Sequence, residues 1–317
     1  MAAHNKDYAP LMDWHPYVMR SGRAGLRGST LNTDSLGFRI SEAGSITAKV
    51  ESIDADGGKK GIVLGNSTAF GVNCSNDRAV VASQLIALSG CRWYNMASRA
   101  YTLAQELVAT TLYPTNDVAW IVSVTGINEL TLLLLGGYSE PDDSYFGAPE
   151  FRSRMNARQK NLLGRAVLIC PKSPPREEQL EIAYNRMIKA TRKRLHAYKL
   201  LLTSHNANGL ILLQPVLGLS KKEMSREEEA LSAASDASSD TRSLKVLKPE
   251  ILGPWYERFN RDFSELCRSL IIDYYNANEF PSLLTADWLF WDRIHLTDTG
   301  HAHLAKSIWD LLSKPKP

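Results

Sequence analysis

From Lys59 onward the apolar positions follow two rhythms in turn. Short, nearly continuous apolar runs at Lys60–Leu64, Cys91–Tyr94, Val118–Val124 and Gly209–Gln214 predict buried strands. Between them, apolar residues recur three and four apart over Asp77–Leu88 and Thr102–Thr111, which predicts helices. The first of these stops at Gly90, a residue suited to a helix C-terminal cap. After Pro174-Pro175 a long helix is predicted to about Ser204, with Leu180, Tyr184, Met187, Thr191, Leu195, Tyr198 and Leu202 on its buried face. Trp255–Ile271 reads as a further helix, Ile271–Asp273 as a short strand and Thr299–Leu312 as a closing helix. Such alternation implies βαβ units and a parallel sheet, with functional loops at the carboxyl ends of its strands.

Three stretches break the rhythm. Residues 1–58 are rich in turn formers and isolated aromatics, as in His15-Pro16-Tyr17, and read as an irregular N-terminal cap on the main domain, 59–317. Val50, Ile53 and the Asp54–Gly58 turn suggest short strands and loops there. Residues 137–157 are loop-like. Residues 218–248, with Ser232–Asp240 at their centre, lose apolar periodicity and read as a mobile insertion, either a lid or plain surface chain.

Composition narrows the function classes. At 317 residues, with 44% apolar and 22% charged content, the chain can bury one large α/β core. Lys+Arg 37 against Asp+Glu 34 leaves a net charge of +3, too small to imply nucleic acid or an anionic membrane. The basic residues of the long helix, Arg186 to Lys199, fall in its later turns, where the helix dipole favours them. No run reaches the roughly 18 apolar residues of a spanning helix, and residues 1–15 lack a signal-type apolar core. The four cysteines are widely spaced, so neither zinc nor a disulfide framework is indicated. The expectation is a cytoplasmic protein without metal or organic cofactor.

The candidate chemistry lies in four places. Ser67 follows the strand ending at Gly65, where outward N–H groups favour an oxygen becoming negative; Ser67 and Thr68 also suit an ordinary turn and cap. Asp292 stands three residues before His295, so its carboxylate can reach one imidazole nitrogen and leave the other to take a proton. The same pair would serve as a loop contact opening the last helix. Asn95–Thr102 and Gly126–Glu129 each follow a predicted strand, and the Asn128 amide is a donor that can face an oxyanion. His301 and His303, two apart in a helix, share no face for a metal, and Cys74 reads as a structural thiol.

Together the four pieces resemble the SGNH (GDSL-type) hydrolase superfamily over about 60–315. Gly65-Asn66-Ser67 with Thr68 and Gly71 is similar to the nucleophile block, and Asn95-Met96-Ala97-Ser98-Arg99-Ala100 to the N-x-G-x-x-G block. Gly126-Ile127-Asn128-Glu129 is similar to G-x-N-[DE], and Asp292-Arg293-Ile294-His295, followed by Leu-Thr-Asp-Thr-Gly, to the closing D-x-x-H. Asn32–Arg39 and Leu213-Gln214-Pro215 are also similar to bacterial members linked to sugar or polysaccharide modification. The resemblance implies a three-layer α/β/α sandwich around a parallel sheet of about five strands. It implies Ser67 as nucleophile, His295 as base and Asp292 as the group holding the imidazole. The oxyanion would be met by the backbone N–H of Ser67, that of Ala100 and the Asn128 side chain. The activity implied is hydrolysis of a small acyl ester, such as an O-acetylated carbohydrate; the alternatives are acyl transfer to a sugar and a weakly active domain that binds a glycan or partner. Asn66 stands where Asp or Gly is usual, and Ala97 and Ala100 stand where glycines are usual, which crowds the oxyanion hole and points to a small acyl group or reduced activity.

Overall fold

The computed structural model describes residues 12–113, 115, 117–138, 144–146, 148, 176–237 and 245–314. Most of the loop-like stretch 137–157 and residues 238–244 of the expected insertion lie outside them.

The N-terminal part carries two antiparallel ribbons, β1 (Met12–His15) with β2 (Met19–Gly22) and β3 (Ser41–Ala43) with β4 (Ile46–Ala48). Around Val50 the chain forms a 3-10 turn, Val50–Ser52, rather than a strand, and buries Val50. The main sheet holds β5 (Lys60–Gly65), β6 (Arg92–Asn95), β7 (Val118–Thr125), β8 (Asn208–Leu213) and β9 (Asp273–Asn276) in the order β6-β5-β7-β8-β9. Every pairing is parallel. All of β5 is buried, which accounts for an unbroken apolar run where a one-sided strand would alternate.

Among the described residues the α-helices are α1 (Ser67–Phe70), α2 (Val81–Ser89), α3 (Leu103–Leu112), α4 (Ile127–Leu134), α5 (Glu177–Ser204), α6 (Arg226–Ala237), α7 (Pro249–Ser269) and α8 (Asp298–Leu312). From β5 the chain steps one way to β6 and then returns past β5 to β7, β8 and β9. Right-handed crossovers then put the helix of the first step on one face and those of the later steps on the other. The contacts agree: α2 packs on α8, while α5 packs on α3, α4 and α7. The result is three layers, as the sequence resemblance implies. Because the direction reverses between β5 and β7, the loops leaving these neighbours diverge and open a crevice at their carboxyl ends.

Three boundaries differ from expectation. Helix α2 begins at Val81, because Asp77–Ala79 forms a separate 3-10 turn capped by Asn76 and Val80 is extended. Helix α7 begins at Pro249 and carries Pro254 within it. Strand β9 starts at Asp273, since Ile271 is 83% exposed and sits at φ 53°, outside strand geometry.

The N-terminal part joins the same apolar core through Leu31, Phe38, Val50 and Ile53. Its Arg39 is fully buried; Nε donates to Asp77 Oδ1 at 2.8 Å, Nη1 to the Gly71 carbonyl at 2.6 Å and Nη2 to the Thr30 carbonyl at 2.7 Å. A buried guanidinium is tolerable only when paired and hydrogen-bonded in this way. Arg39 thereby ties the N-terminal part to the turn just beyond Ser67. Among the described residues no helix is long and apolar enough to cross a membrane.

Candidate active site

The first element of the site is the sharp exit from β5. Gly65 has φ 145°, and a Cβ there would lie 2.5 Å from the Val124 carbonyl oxygen and 2.6 Å from Ala69 Cβ, so only glycine fits. Asn66 caps the short α1, its side chain accepting from the Thr68 N–H at 3.0 Å. From Lys60 to Val72 every residue is buried except Ser67. The turn thus presents one hydroxyl to solvent at the crevice between β5 and β7.

The second element comes from far along the chain. His295 Nε2 lies 2.8 Å from Ser67 Oγ across 228 positions of sequence, and His295 Nδ1 lies 2.6 Å from Asp292 Oδ2. Asp292 Oδ1 accepts the N–H groups of Ile294 and His295, each at 2.8 Å. Burial pushes the Asp292 carboxyl up, but the His295 ring and these two N–H groups outweigh it and hold the carboxyl below its ordinary value. Asp292 therefore stays ionised and pins both the ring and its own loop.

A buried polar network joins the two elements. Thr68 Oγ1 donates to the Ile294 carbonyl at 2.7 Å, and Gln214 Nε2 donates to both Thr68 Oγ1 (2.7 Å) and that carbonyl (2.9 Å). Asn66 Nδ2 donates to Gln214 Oε1 at 2.6 Å. An aspartate at 66 has no hydrogen to give Gln214, which is a physical reason for asparagine in that place. The sequence offered Gln214 as the polar residue ending a strand and as part of the Leu213-Gln214-Pro215 resemblance; its role needs the fold.

Helix α6, hidden in sequence by its Ser/Ala/Glu composition, braces the same loop. Glu228, its one fully buried residue, accepts from the Leu289 and Phe290 N–H groups at 2.9 and 3.0 Å and pairs with the buried Lys222 at 2.7 Å. Near the end of α6, Asp236 takes Arg293 Nη2 on both oxygens, at 2.9 and 3.0 Å. Residues 226–237 of the stretch expected to be mobile are thus helix, docked against the loop that carries Asp292 and His295.

The third and fourth elements flank Ser67. Asn95 accepts the Ala97 N–H and donates to the Ala69 carbonyl at 3.2 Å, and the Ser98 N–H bonds to the Gly65 carbonyl at 3.2 Å. Ala97 has no positive φ, so a side chain costs nothing there, whereas Ala100 sits at φ 61°. Asn128 stands in the first turn of α4 and donates to the Tyr101 carbonyl at 2.7 Å; Glu129 accepts the Leu103 N–H at 2.6 Å. Both side chains of the fourth element thus hold the stretch just after Ala100. Left-handed backbone costs an L-residue about 1–2 kcal/mol, and the looser unfolded chain of a glycine returns about 0.4–1 of that. Ala100→Gly is therefore expected to stabilise the fold by about 0.5–1 kcal/mol, read as a rise in urea midpoint at constant m-value.

Other candidates lie apart from this chemistry. Cys74 is fully buried, and burial pushes its thiol up to about 12, so it offers no thiolate. His303 Nδ1 lies 2.6 Å from the Ser282 carbonyl. No group of three or more potential metal ligands occurs among the described residues. His301 is fully buried with no hydrogen-bond partner on either nitrogen among the described residues, and burial, with Arg39 and His295 nearby, pushes it down to about 3. Between pH 6.5 and about 3 the unfolded chain binds a proton that the folded chain refuses, so stability falls as pH drops through that window. His301→Leu is expected to flatten this acid slope in denaturant titrations between pH 6.5 and 4.

By sequence the chain matches no protein-family model and no curated protein. Among solved structures it is similar to an extracellular lipase from Streptomyces rimosus (12% identity, 81% of this chain and 100% of that one, TM-score 0.43). It is also similar to a phospholipase A1 from Streptomyces albidoflavus NA297 (13%, 81% and 99%, TM-score 0.44). A third likeness is to the acetylxylan esterase Axe2 from Geobacillus stearothermophilus (13%, 81% and 95%, TM-score 0.41). Five parallel strands in this order between two layers of helices form the three-layer α/β/α sandwich that the sequence resemblance implies, with Ser67 and His295 meeting at its rim.

Proposed function

We propose that the protein is a serine esterase that removes a small acyl group from an oxygen ester, an O-acetylated carbohydrate being the substrate class. The observation that carries this reading is the unbroken relay from Ser67 Oγ to His295 Nε2 (2.8 Å) and from His295 Nδ1 to Asp292 (2.6 Å). Ser67 Oγ attacks the ester carbonyl as His295 takes its proton, and the carbonyl oxygen becomes an oxyanion. The backbone N–H groups of Ser67 and Ala100 and the second N–H of Asn128 are the donors that meet it. His295 then returns the proton to the departing alcohol, and water, deprotonated in turn by His295, releases the carboxylic acid from Ser67. The Ala100 methyl at the hole's edge favours a short acyl group.

The test is hydrolysis of p-nitrophenyl acetate together with a serine-directed phosphonate whose adduct is mapped by mass spectrometry. The expected result is steady turnover that stops on labelling, with the adduct on Ser67. Absence of turnover, or an adduct elsewhere, overturns the reading.

A further inference from the structure

A second concave feature lies on the same rim, at the carboxyl ends of β8 and β9. It is a cavity of about 370 Å³ between the segment following β8, the middle of α7 and the turn following β9. Its size is near the lower end for small-molecule sites, enough for one small ligand. The polar contacts within it are organised from the floor upward. Asn278 Nδ2 donates to Tyr256 Oη at 2.9 Å, and Tyr256 Oη in turn lies 2.9 Å from Asn276 Oδ1 and 3.3 Å from the Gln214 carbonyl. Asn276 Nδ2 reaches Glu279 at 3.1 Å, and Asn260 Oδ1 accepts from Tyr274 Oη at 2.6 Å.

These contacts orient the side chains and leave specific groups unused. The Ser220 hydroxyl is buried and has no partner among the described residues. The Asn260 amide and the exposed Glu257 carboxylate and Lys221 ammonium also line the cavity. A buried hydroxyl left without a partner costs free energy, so it marks a place where a ligand atom or water belongs.

The lining selects the class of ligand. Leu219 and Leu284 are its only aliphatic walls, so an acyl chain would leave the amides, carboxylates and hydroxyl unpaired. An anion would meet two carboxylates, Glu257 and Glu279, against one ammonium and no guanidinium. A metal ion finds no cluster of three ligands among the described residues. What fits donors and acceptors interleaved at close range is a neutral molecule whose groups donate and accept at once, which is the chemistry of sugar hydroxyls.

We infer that this cavity is a binding subsite for a neutral sugar unit, separate from the Ser67 turn. Strands in a sheet lie about 4.8 Å apart, so a site between β8 and β9 is on the order of 12 Å along the rim from the end of β5. A ligand reaching both places has more than one sugar ring. Gln214 links the two: its carbonyl accepts from the cavity-lining Tyr256, and its side chain holds Thr68 and the Ile294 carbonyl beside Ser67. The inference goes beyond the esterase reading, because sugar binding here requires no turnover at Ser67.

The experiment is calorimetric titration of the Ser67→Ala protein with xylobiose, cellobiose, chitobiose and maltose, and with inorganic phosphate and hexanoate as contrasting chemistries. The expected result is saturable binding of at least one neutral disaccharide, with phosphate and hexanoate inert. Loss of a hydrogen bond to a charged group should weaken that binding about tenfold or more in Glu257→Ala, whose side chain is exposed and dispensable for folding, and similarly in Asn260→Ala. Failure of all four sugars to bind, stronger binding of phosphate or hexanoate, or unchanged affinity in Glu257→Ala overturns the inference. A parent protein that binds sugar but does not hydrolyse p-nitrophenyl acetate overturns the esterase reading and leaves this one standing.

Discussion

Ser67→Ala is expected to lower kcat for p-nitrophenyl acetate by about four to six orders of magnitude, the range seen when a nucleophile is removed from a serine relay. The turn does not depend on this hydroxyl to fold. Gly65 supplies the backbone conformation, Asn66 the cap and Thr68 the tie to Ile294, while Ser67 Oγ bonds only to His295 among the described residues. Stability should therefore change by no more than about 0.5 kcal/mol, as for a substitution away from structural features. Thermal melts run beside the kinetics separate the two effects. Hydrolysis persisting near the parent rate in a folded variant would place the chemistry at another residue.

Asp292→Asn is expected to cost about 10⁴ in kcat, the loss known for the same exchange in a Ser-His-Asp protease. An asparagine can still accept the Ile294 and His295 N–H groups through its oxygen. It then turns an NH₂ toward His295 Nδ1, which makes that nitrogen the acceptor and moves the ring proton to Nε2. A protonated Nε2 cannot take the Ser67 proton, so the loop survives and the base does not. The stability curve gives an independent reading. The Asp292 carboxyl is held below its ordinary value of 3.8, so it contributes stability above that pH and loses it as pH falls through the lower folded value. The parent and Asp292→Asn proteins should thus differ in stability at neutral pH and converge in strong acid. Equal kcat in the two proteins would exclude Asp292 from holding the imidazole.

The meeting of Ser67, His295 and Asp292 was legible in the sequence because each sits in a short local pattern next to a strand end or a helix start; the oxyanion roles of Ala100 and Asn128 stay part of the proposal. The parallel sheet was legible for the same reason: fully buried strands leave apolar runs that no surface segment imitates. What escaped was polar, buried and solitary. Arg39, Gln214 and Glu228 have no periodicity around them, and only the fold shows that a guanidinium meets Asp77, an amide meets Thr68 and a carboxylate meets two backbone N–H groups. In sequence, helix α6 resembles mobile chain because it offers one buried residue and no apolar stripe; its hold on the body is charge and hydrogen bonding. The first turns of α7 were hidden by Pro254, and the onset of β9 by the apolar but exposed Ile271.

The 228 positions between the hydroxyl and the imidazole set an order of events during synthesis. A growing polypeptide emerges from its N-terminal side at about 5–20 residues per second, so the β5 turn is exposed to the cell for many seconds before residue 295 exists. On the proposed reading, Ser67 is an inert alcohol throughout that interval, and no partly made product cleaves esters near the ribosome. The contact between the hydroxyl and the imidazole forms only when the segment between the last strand and the last helix has docked.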